Sequence, residues 1–317
     1  MFSSDRLDRG EAISGDFGFY PRLLDVRGDR FEIETLDDHA SVVSQVVNSS
    51  NVYNGWYYPE AEQQFDIATG SVRDLPYAPR VFGLPKTHMM TVFGDKDKSA
   101  IEFAVWSFSF FSGMRMTTTE AGYLDATPVK PGTMVDFVLT QHDLAKAIDL
   151  SLAYLDRKRS NPRSLKRVAS VIHALFLAQY PRSLPFERFN YLYIALDTCY
   201  RIFISEGAKN PARSHASRVQ WMCETVGIET PEWAKYDNGS NPELAEVRNN
   251  TFHEGLFFDE PLGFSIYGGN NRGVDAPHVE LQMEGLVCRL LVAILGASEA
   301  EYVRTPIDTR HKFGLDF

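Results

Sequence analysis

The residues best equipped for chemistry stand near the end of the chain, in Arg248-Asn249-Asn250-Thr251-Phe252-His253-Glu254-Gly255. A guanidinium carries a permanent charge and a fork of donors suited to phosphate oxygens, and an imidazole exchanges protons near neutrality. RNA cleavage through the 2′-hydroxyl needs a proton acceptor for that hydroxyl, a donor for the leaving oxygen and positive charge for the phosphorane. These two side-chain types supply all three without a metal or cofactor, and neither is expected. At 100° per residue Asn249 and His253 lie about 40° apart on a helix, whereas Arg248 lies about 140° from His253, a gap that only a side chain as long as arginine can close. One histidine per chain leaves one proton-transfer role open. A second chain bringing the same motif would fill it, so a homodimer is expected.

An arginine also precedes a histidine at similar spacing in Arg167/His173 on an apolar helix face, in Arg272/His278 beside Pro277, and in Arg304/His311 across Pro306. Only Arg248/His253 has Asn directly after the arginine and lies on a capped helix with amphipathic helices before and after it. There is no Gly-rich phosphate loop, nucleophile elbow, H-E-x-x-H or clustered metal ligand set. Glu254 either orients His253 or is solvated. The run Arg157-Lys158-Arg159, with Arg163 and Lys166, either tracks an RNA backbone or forms a solvated helix end. His215 with Arg213 and Arg218 either adds a phosphate contact or opens a basic helix facing solvent. Asp197, in an apolar helix, either faces Arg201 or Arg248 or is exposed, because a buried lone carboxylate is costly. Cys199, Cys223 and Cys288 are odd in number and far apart. They exclude a disulfide framework and a cysteine zinc site, read as small buried apolar residues, and fit a reducing cytoplasm.

The elements that must hold these residues divide the 317-residue chain into two halves, and 44% hydrophobic residues suffice for a real core. Up to about residue 140 the pattern is of strands: Arg30 to Leu36 alternates, and Gly15-Asp16, Leu84-Pro85, Gly94-Asp95 and Lys130-Pro131-Gly132 punctuate. The aromatic run Ile101 to Phe111 holds no basic residue and reads as a buried element, with a base-stacking platform as its rival. From Gln141 the period becomes helical. Leu144, Ile148, Leu152 and Leu155 form one stripe, and Leu165 to Phe176 a second. A long helix runs from Leu184 to Ile204, and another from Ser214 to Val226. Ser240 as cap and Pro242 in the first turn start a fifth helix through His253, ended by Gly255. A sixth runs from about Val279 to Gly296, after a Gly/Asn-rich loop from Pro261 to Pro277. The expected fold class is α+β: a β-rich regulatory or targeting domain over 1–140, then an all-α bundle over 141–317.

The net charge of −10 argues against indiscriminate nucleic-acid binding, yet Ser151 to Gln220 alone carries twelve Lys/Arg against four Asp/Glu. That segment is +8 and the remainder −18, so a phosphate-bearing ligand is compatible with one half. The apolar run Leu286 to Ala297 is short and cut by Arg289, and Met1 to Asp5 opens with neither a basic start nor an apolar core. No membrane span and no secretory leader are therefore expected.

From about Gln141 to Gly296 the chain resembles the HEPN superfamily. The resemblance rests on Arg248-Asn249-x-x-x-His253-Glu254-Gly255 and on the helix Leu184-Pro-Phe-Glu-Arg-Phe-Asn-Tyr-Leu-Tyr-Ile-Ala-Leu-Asp197. It implies a helical bundle that dimerises through its motif helices and often acts as a metal-independent RNA endonuclease in toxin–antitoxin or phage-defence settings, with an antitoxin or regulatory partner. By position Arg248 would bind the scissile phosphate, Asn249 would orient it or the ribose, and His253 would transfer a proton. Other members are non-catalytic modules that bind a nucleotide, RNA or a protein partner, because fold likeness does not fix activity.

Overall fold

The computed structural model describes residues 11–118, 123–132, 135–237, 241–255, 258–259, 263–264, 279–307 and 312–317. Ser240, Arg272, Pro277, His278, His311 and most of the Pro261 to Pro277 loop lie outside them. The fold class is α+β, and the residues fall into two units. The first comprises Met1–Thr133 with Leu144–Ala153, the second Met134–Asp143 with Tyr154–Phe317.

In the first unit, β1 (Ala12–Phe17), β2 (Val26–Arg27) and β3 (Phe31–Thr35) precede α1 (His39–Val47). Short pairs follow: β4 (Val52–Tyr53) with β5 (Trp56–Tyr57), and β6 (Gln63–Phe65) with β7 (Val72–Asp74). Then come β8 (Phe82–Gly83), β9 (His88–Phe93), α2 (Lys98–Ser112) and β10 (Tyr123–Leu124). Four strands make an antiparallel sheet in the order β1-β9-β3-β2, with Phe17 opposite His88 and Phe31 opposite Val92. Alternate residues of β9 are buried, so His88, Met90 and Val92 share one face with Phe31 and Ile33. Helix α2 covers that face. It comes so close to β1 that a Cβ on Gly15 would lie 3.3 Å from Ile101.

Helix α2 is the aromatic run. Asp97 caps its first turn by accepting from the Ser99 amide at 2.9 Å, and Gly113 ends it in the left-handed region at φ 65°. Its Ile101, Phe103, Phe108, Phe110 and Phe111 are buried, so these rings serve the core and are not displayed for stacking on bases. An element this apolar on every side shows no 3.6-residue period, so its helical form was not legible among strand signals.

His88 sits in the middle of this core, fully buried, stacked on Phe17 at 5.6 Å and edge-on to His39 at 5.2 Å. Its Nδ1 hydrogen-bonds to the Thr87 hydroxyl at 2.9 Å. Burial, and then the neighbouring His39, push its pKa down to about 4.

In the second unit, β11 (Phe137–Val138) leads into α3 (Gln141–Lys158), whose residues Leu144–Ala153 belong with the first unit. Thr140 and Asp143 form a capping box at its start. Next are α4 (Pro162–Ala178), α5 (Pro185–Ser205) and α6 (Arg218–Val226), the first two with proline in the first turn. Helix α7 (Glu243–Asn249) continues without a break into one π-helical turn, Asn250–Glu254, closed by Gly255 at φ 64°. A short pair, β12 (Phe258–Asp259) with β13 (Gly263–Phe264), precedes α8 (Val279–Val292), α9 (Glu301–Arg304) and β14 (Phe313–Gly314). The unit is therefore not purely helical: β11 and β14 pair in parallel. Two-residue strands carry too little periodicity to be read from sequence.

Arg289 of α8 is fully buried. Its guanidinium donates to Asp136 at 2.5 Å, to the carbonyls of Gly285, Thr305 and Pro306 at 2.9, 3.0 and 3.2 Å, and lies 4.6 Å over the Tyr302 ring. Tyr302 in turn donates to Asp136.

Two stability measurements follow from these buried groups. Because the folded pKa of His88 lies below the unfolded value, its neutral form supports folding fully above pH 6.5. That support is lost as pH falls towards 4, by roughly 3 kcal/mol. Urea unfolding of wild type and His88→Met across that range should show a shallower acid loss in the variant, and parallel curves would refute it. Asp136→Ala, which leaves a buried guanidinium unpaired, should cost about 3 kcal/mol of stability. A loss under about 1 kcal/mol in denaturant titration would refute that reading.

Candidate active site

The π turn decides where the motif side chains go. Its backbone closes through i→i+5 hydrogen bonds, the Gly255 amide donating to the Asn250 carbonyl, and this re-phases the helix so that positions five apart come onto one face. Arg248 and His253 are five apart, and Nη1 of Arg248 meets Nε2 of His253 at 2.5 Å. The same nitrogen donates to Asn249 Oδ1 at 2.9 Å. The sequence reading expected Arg248 to reach across about 140° of α-helix. The π turn shortens that reach.

Helix α5 supplies the opposing wall. Tyr193, Asp197 and Arg201 follow each other at four-residue intervals and share one face, while Leu192, Leu196, Cys199 and Tyr200 are buried. Tyr193 packs against Phe252 of the π turn at 6.0 Å between ring centres, and the Arg248 guanidinium lies over Phe252 at 5.9 Å. The Tyr193 pKa is raised by burial, with the charge of Arg248 acting in the opposite sense. Asp197 pairs with Arg218 of α6, and with Arg201 at 3.8 Å. Of the alternatives for Asp197, Arg201 is realised, and Arg218 is the partner that sequence reasoning missed.

The segment before α6 brings in His215. It is fastened by the Tyr200 hydroxyl, which donates to the Ala212 carbonyl at 2.6 Å, and by the paired Ser214 and Ser217 hydroxyls at 2.8 Å. His215 Nδ1 accepts from Arg218 Nη1 at 2.8 Å and lies 3.4 Å from the Tyr193 hydroxyl. Burial, then Arg218 and Arg248, lower its pKa below the usual histidine value. Arg248, Asn249 and His253 thus come together with Tyr193, Asp197, His215 and Arg218. Tyr193 was not singled out in the sequence; its signal was the Tyr193/Asp197/Arg201 spacing inside an otherwise apolar helix.

The centre is cationic. Arg201 and Arg218 share one carboxylate, Asp197, Arg248 adds a third guanidinium beside Tyr193, and the buried Nε–H groups of Arg218 and Arg248 have no protein acceptor among the described residues. Donors held in place without acceptors, in a surplus of positive charge, suit an anion with several oxygens. Among the described residues no group of three or more His, Cys, Asp and Glu is placed to hold a metal ion.

The remaining basic residues stand elsewhere in this unit. Arg157 donates to the Leu295 carbonyl at 2.8 Å, Lys158 pairs with Glu206 at 3.2 Å, and Arg159 pairs with Asp156 at 3.0 Å. Arg163, Lys166 and Arg213 are exposed, and Glu254 is exposed at the end of the π turn. Cys199, Cys223 and Cys288 are buried and free, and burial pushes each thiol up, Cys223 to about 12, as fits inert core residues. No helix of the described residues is long and apolar enough to cross a membrane.

Compared with known protein families, curated proteins and solved structures, the chain matches none.

Inorganic phosphate should bind this centre, and Arg248→Ala should weaken binding at least tenfold, since a charge-assisted hydrogen bond contributes about 1.5–3 kcal/mol. Calorimetry at low salt measures both affinities, and equal values would show that Arg248 does not face the anion.

Proposed function

We propose that the chain is a metal-independent RNA endonuclease whose active centre is built on Arg248, Asn249 and His253, in keeping with its resemblance to the HEPN superfamily. The observation that carries this reading is the contact between Arg248 and His253, in a centre with more guanidinium than carboxylate charge. Arg248 holds the scissile phosphate and neutralises the phosphorane, Asn249 orients the phosphate or the ribose, and His253 moves a proton between substrate oxygens. Attack of the 2′-oxygen on phosphorus expels the 5′-oxygen and leaves a 2′,3′-cyclic phosphate and a 5′-hydroxyl. Phe252, 47% exposed beside the centre, offers a ring face to a neighbouring base. A homodimer, a cytoplasmic setting, an antitoxin or regulatory partner, and a role in toxin–antitoxin or phage-defence systems belong to the same proposal. The first unit would sense a trigger or select a target.

A second reading, a non-catalytic module that binds a nucleotide, RNA or a protein partner in the same groove, is favoured by one observation. Arg157, Lys158 and Arg159 are engaged with Leu295, Glu206 and Asp156, which shortens the basic track open to a long strand.

Wild type, His253→Ala and Arg248→Ala, incubated with mixed tRNA and unstructured RNA in EDTA and resolved on denaturing gels, separate the two. Cleavage by wild type that falls at least 100-fold in both variants is the expected result. Cleavage that survives either change in a folded protein overturns the assignment, and binding without turnover turns it to the second reading.

A further inference from the structure

Cleavage through the 2′-hydroxyl needs two proton-transfer groups, and the motif supplies one. The second need not come from another copy of the chain. We propose that His215 is the second catalytic histidine, acting in the same chain as His253 across one phosphate-binding centre. This rests on the endonuclease reading above.

Three observations carry it. First, the two imidazoles lie against one cluster of arginines: His215 Nδ1 accepts from Arg218 and faces Tyr193, the charge of Arg248 acts on both Tyr193 and His215, and Arg248 donates to His253 Nε2. Second, a guanidinium can only donate, so the lone pairs of His215 Nδ1 and His253 Nε2 are the acceptors of those bonds. Each imidazole therefore has its basic nitrogen turned to an arginine. Third, the Nε–H groups of Arg218 and Arg248 lack protein acceptors among the described residues. A phosphodiester offers those arginines a stronger, charge-assisted partner than an imidazole does. As the guanidiniums turn to it, they release His215 Nδ1 and His253 Nε2 beside the reacting atoms.

The roles follow from the surroundings. Tyr193, Asp197 and Arg201 of α5, Arg218 of α6 and Arg248 of α7 are the charged and titratable groups around His215. Partial burial and the cations lower its pKa, which favours the neutral form that a base needs. His215 takes the proton of the 2′-hydroxyl while the 2′-oxygen bonds to phosphorus. His253, exposed at the end of its turn and freed from Arg248, takes up a proton from water at Nε2 and delivers it to the departing 5′-oxygen as that bond to phosphorus breaks. Exchange with water afterwards restores both rings, so no co-reactant is consumed.

The test uses the full chain in EDTA. His215→Ala should lower RNA cleavage at least 100-fold with an unchanged melting temperature, remove the acidic limb of the pH–rate profile, and regain activity with added imidazole. Cleavage within threefold of wild type, while His253→Ala is inactive, overturns the role of His215 and leaves the endonuclease reading standing. If wild type cleaves no RNA, that reading fails, and proton NMR of the histidine ring signals with uridine 3′-monophosphate still decides the pairing. Both signals moving together supports a shared centre, movement of His253 alone overturns it, and movement of neither overturns it together with the anion site.

Discussion

A charge sealed from water must be neutralised by whatever surrounds it, and Arg289 imposes that condition on the second unit. Its guanidinium draws in the carboxylate of Asp136, the ring of Tyr302 and three carbonyls. The acceptors come from the segment before β11, from α8 itself and from the stretch after α9. Segments far apart in sequence thus converge on one side chain, and the β11–β14 pair lies beside it, the Phe313 amide donating to the Asp136 carbonyl at 3.1 Å. A neutral residue of similar size could fill the volume but would not require each acceptor to be present.

The candidate centre uses the same side chain in the opposite way. Arg218 and Arg248 are tethered by part of their donor set, through Asp197 and His215 or through Asn249 and His253, and the Nε–H of each is left unmatched among the described residues. Such an arrangement is less stable than a saturated one and is held by its neighbours, here the apolar side of α5 and the hydrogen bonds that fasten the segment before α6. The difference between a structural and a ligand-seeking arginine thus lies in whether its acceptors are all supplied by the protein.

Much of this was legible before the fold was known. The helices of the second unit announce themselves by period and by Gly255 and Gly296 at ends, because those signals are local, although Pro242, expected in the first turn of α7, stands one position before it as the cap. Arg248, Asn249 and His253 were legible as residue types at a spacing. Of the wall opposite them, His215 and Arg218 were legible as a possible phosphate contact but Tyr193 was not, since only tertiary packing brings their two segments near. Helix α2 was misted by its own hydrophobicity, and β11 and β14 by their shortness. Arg289 looked like an interruption of an apolar run; its role depends on Asp136, more than 150 positions earlier.

The single π turn after α7 makes spacing and helix type one quantity. In an α-helix one residue more or less turns everything downstream by about 100°. Here the wider turn absorbs such a step between Arg248 and His253 without displacing Gly255 from the helix end. An arginine and a histidine four residues apart face each other on a regular helix, and five apart they meet here across a π turn. The number of residues separating the pair thus records the shape of the helix that carries them.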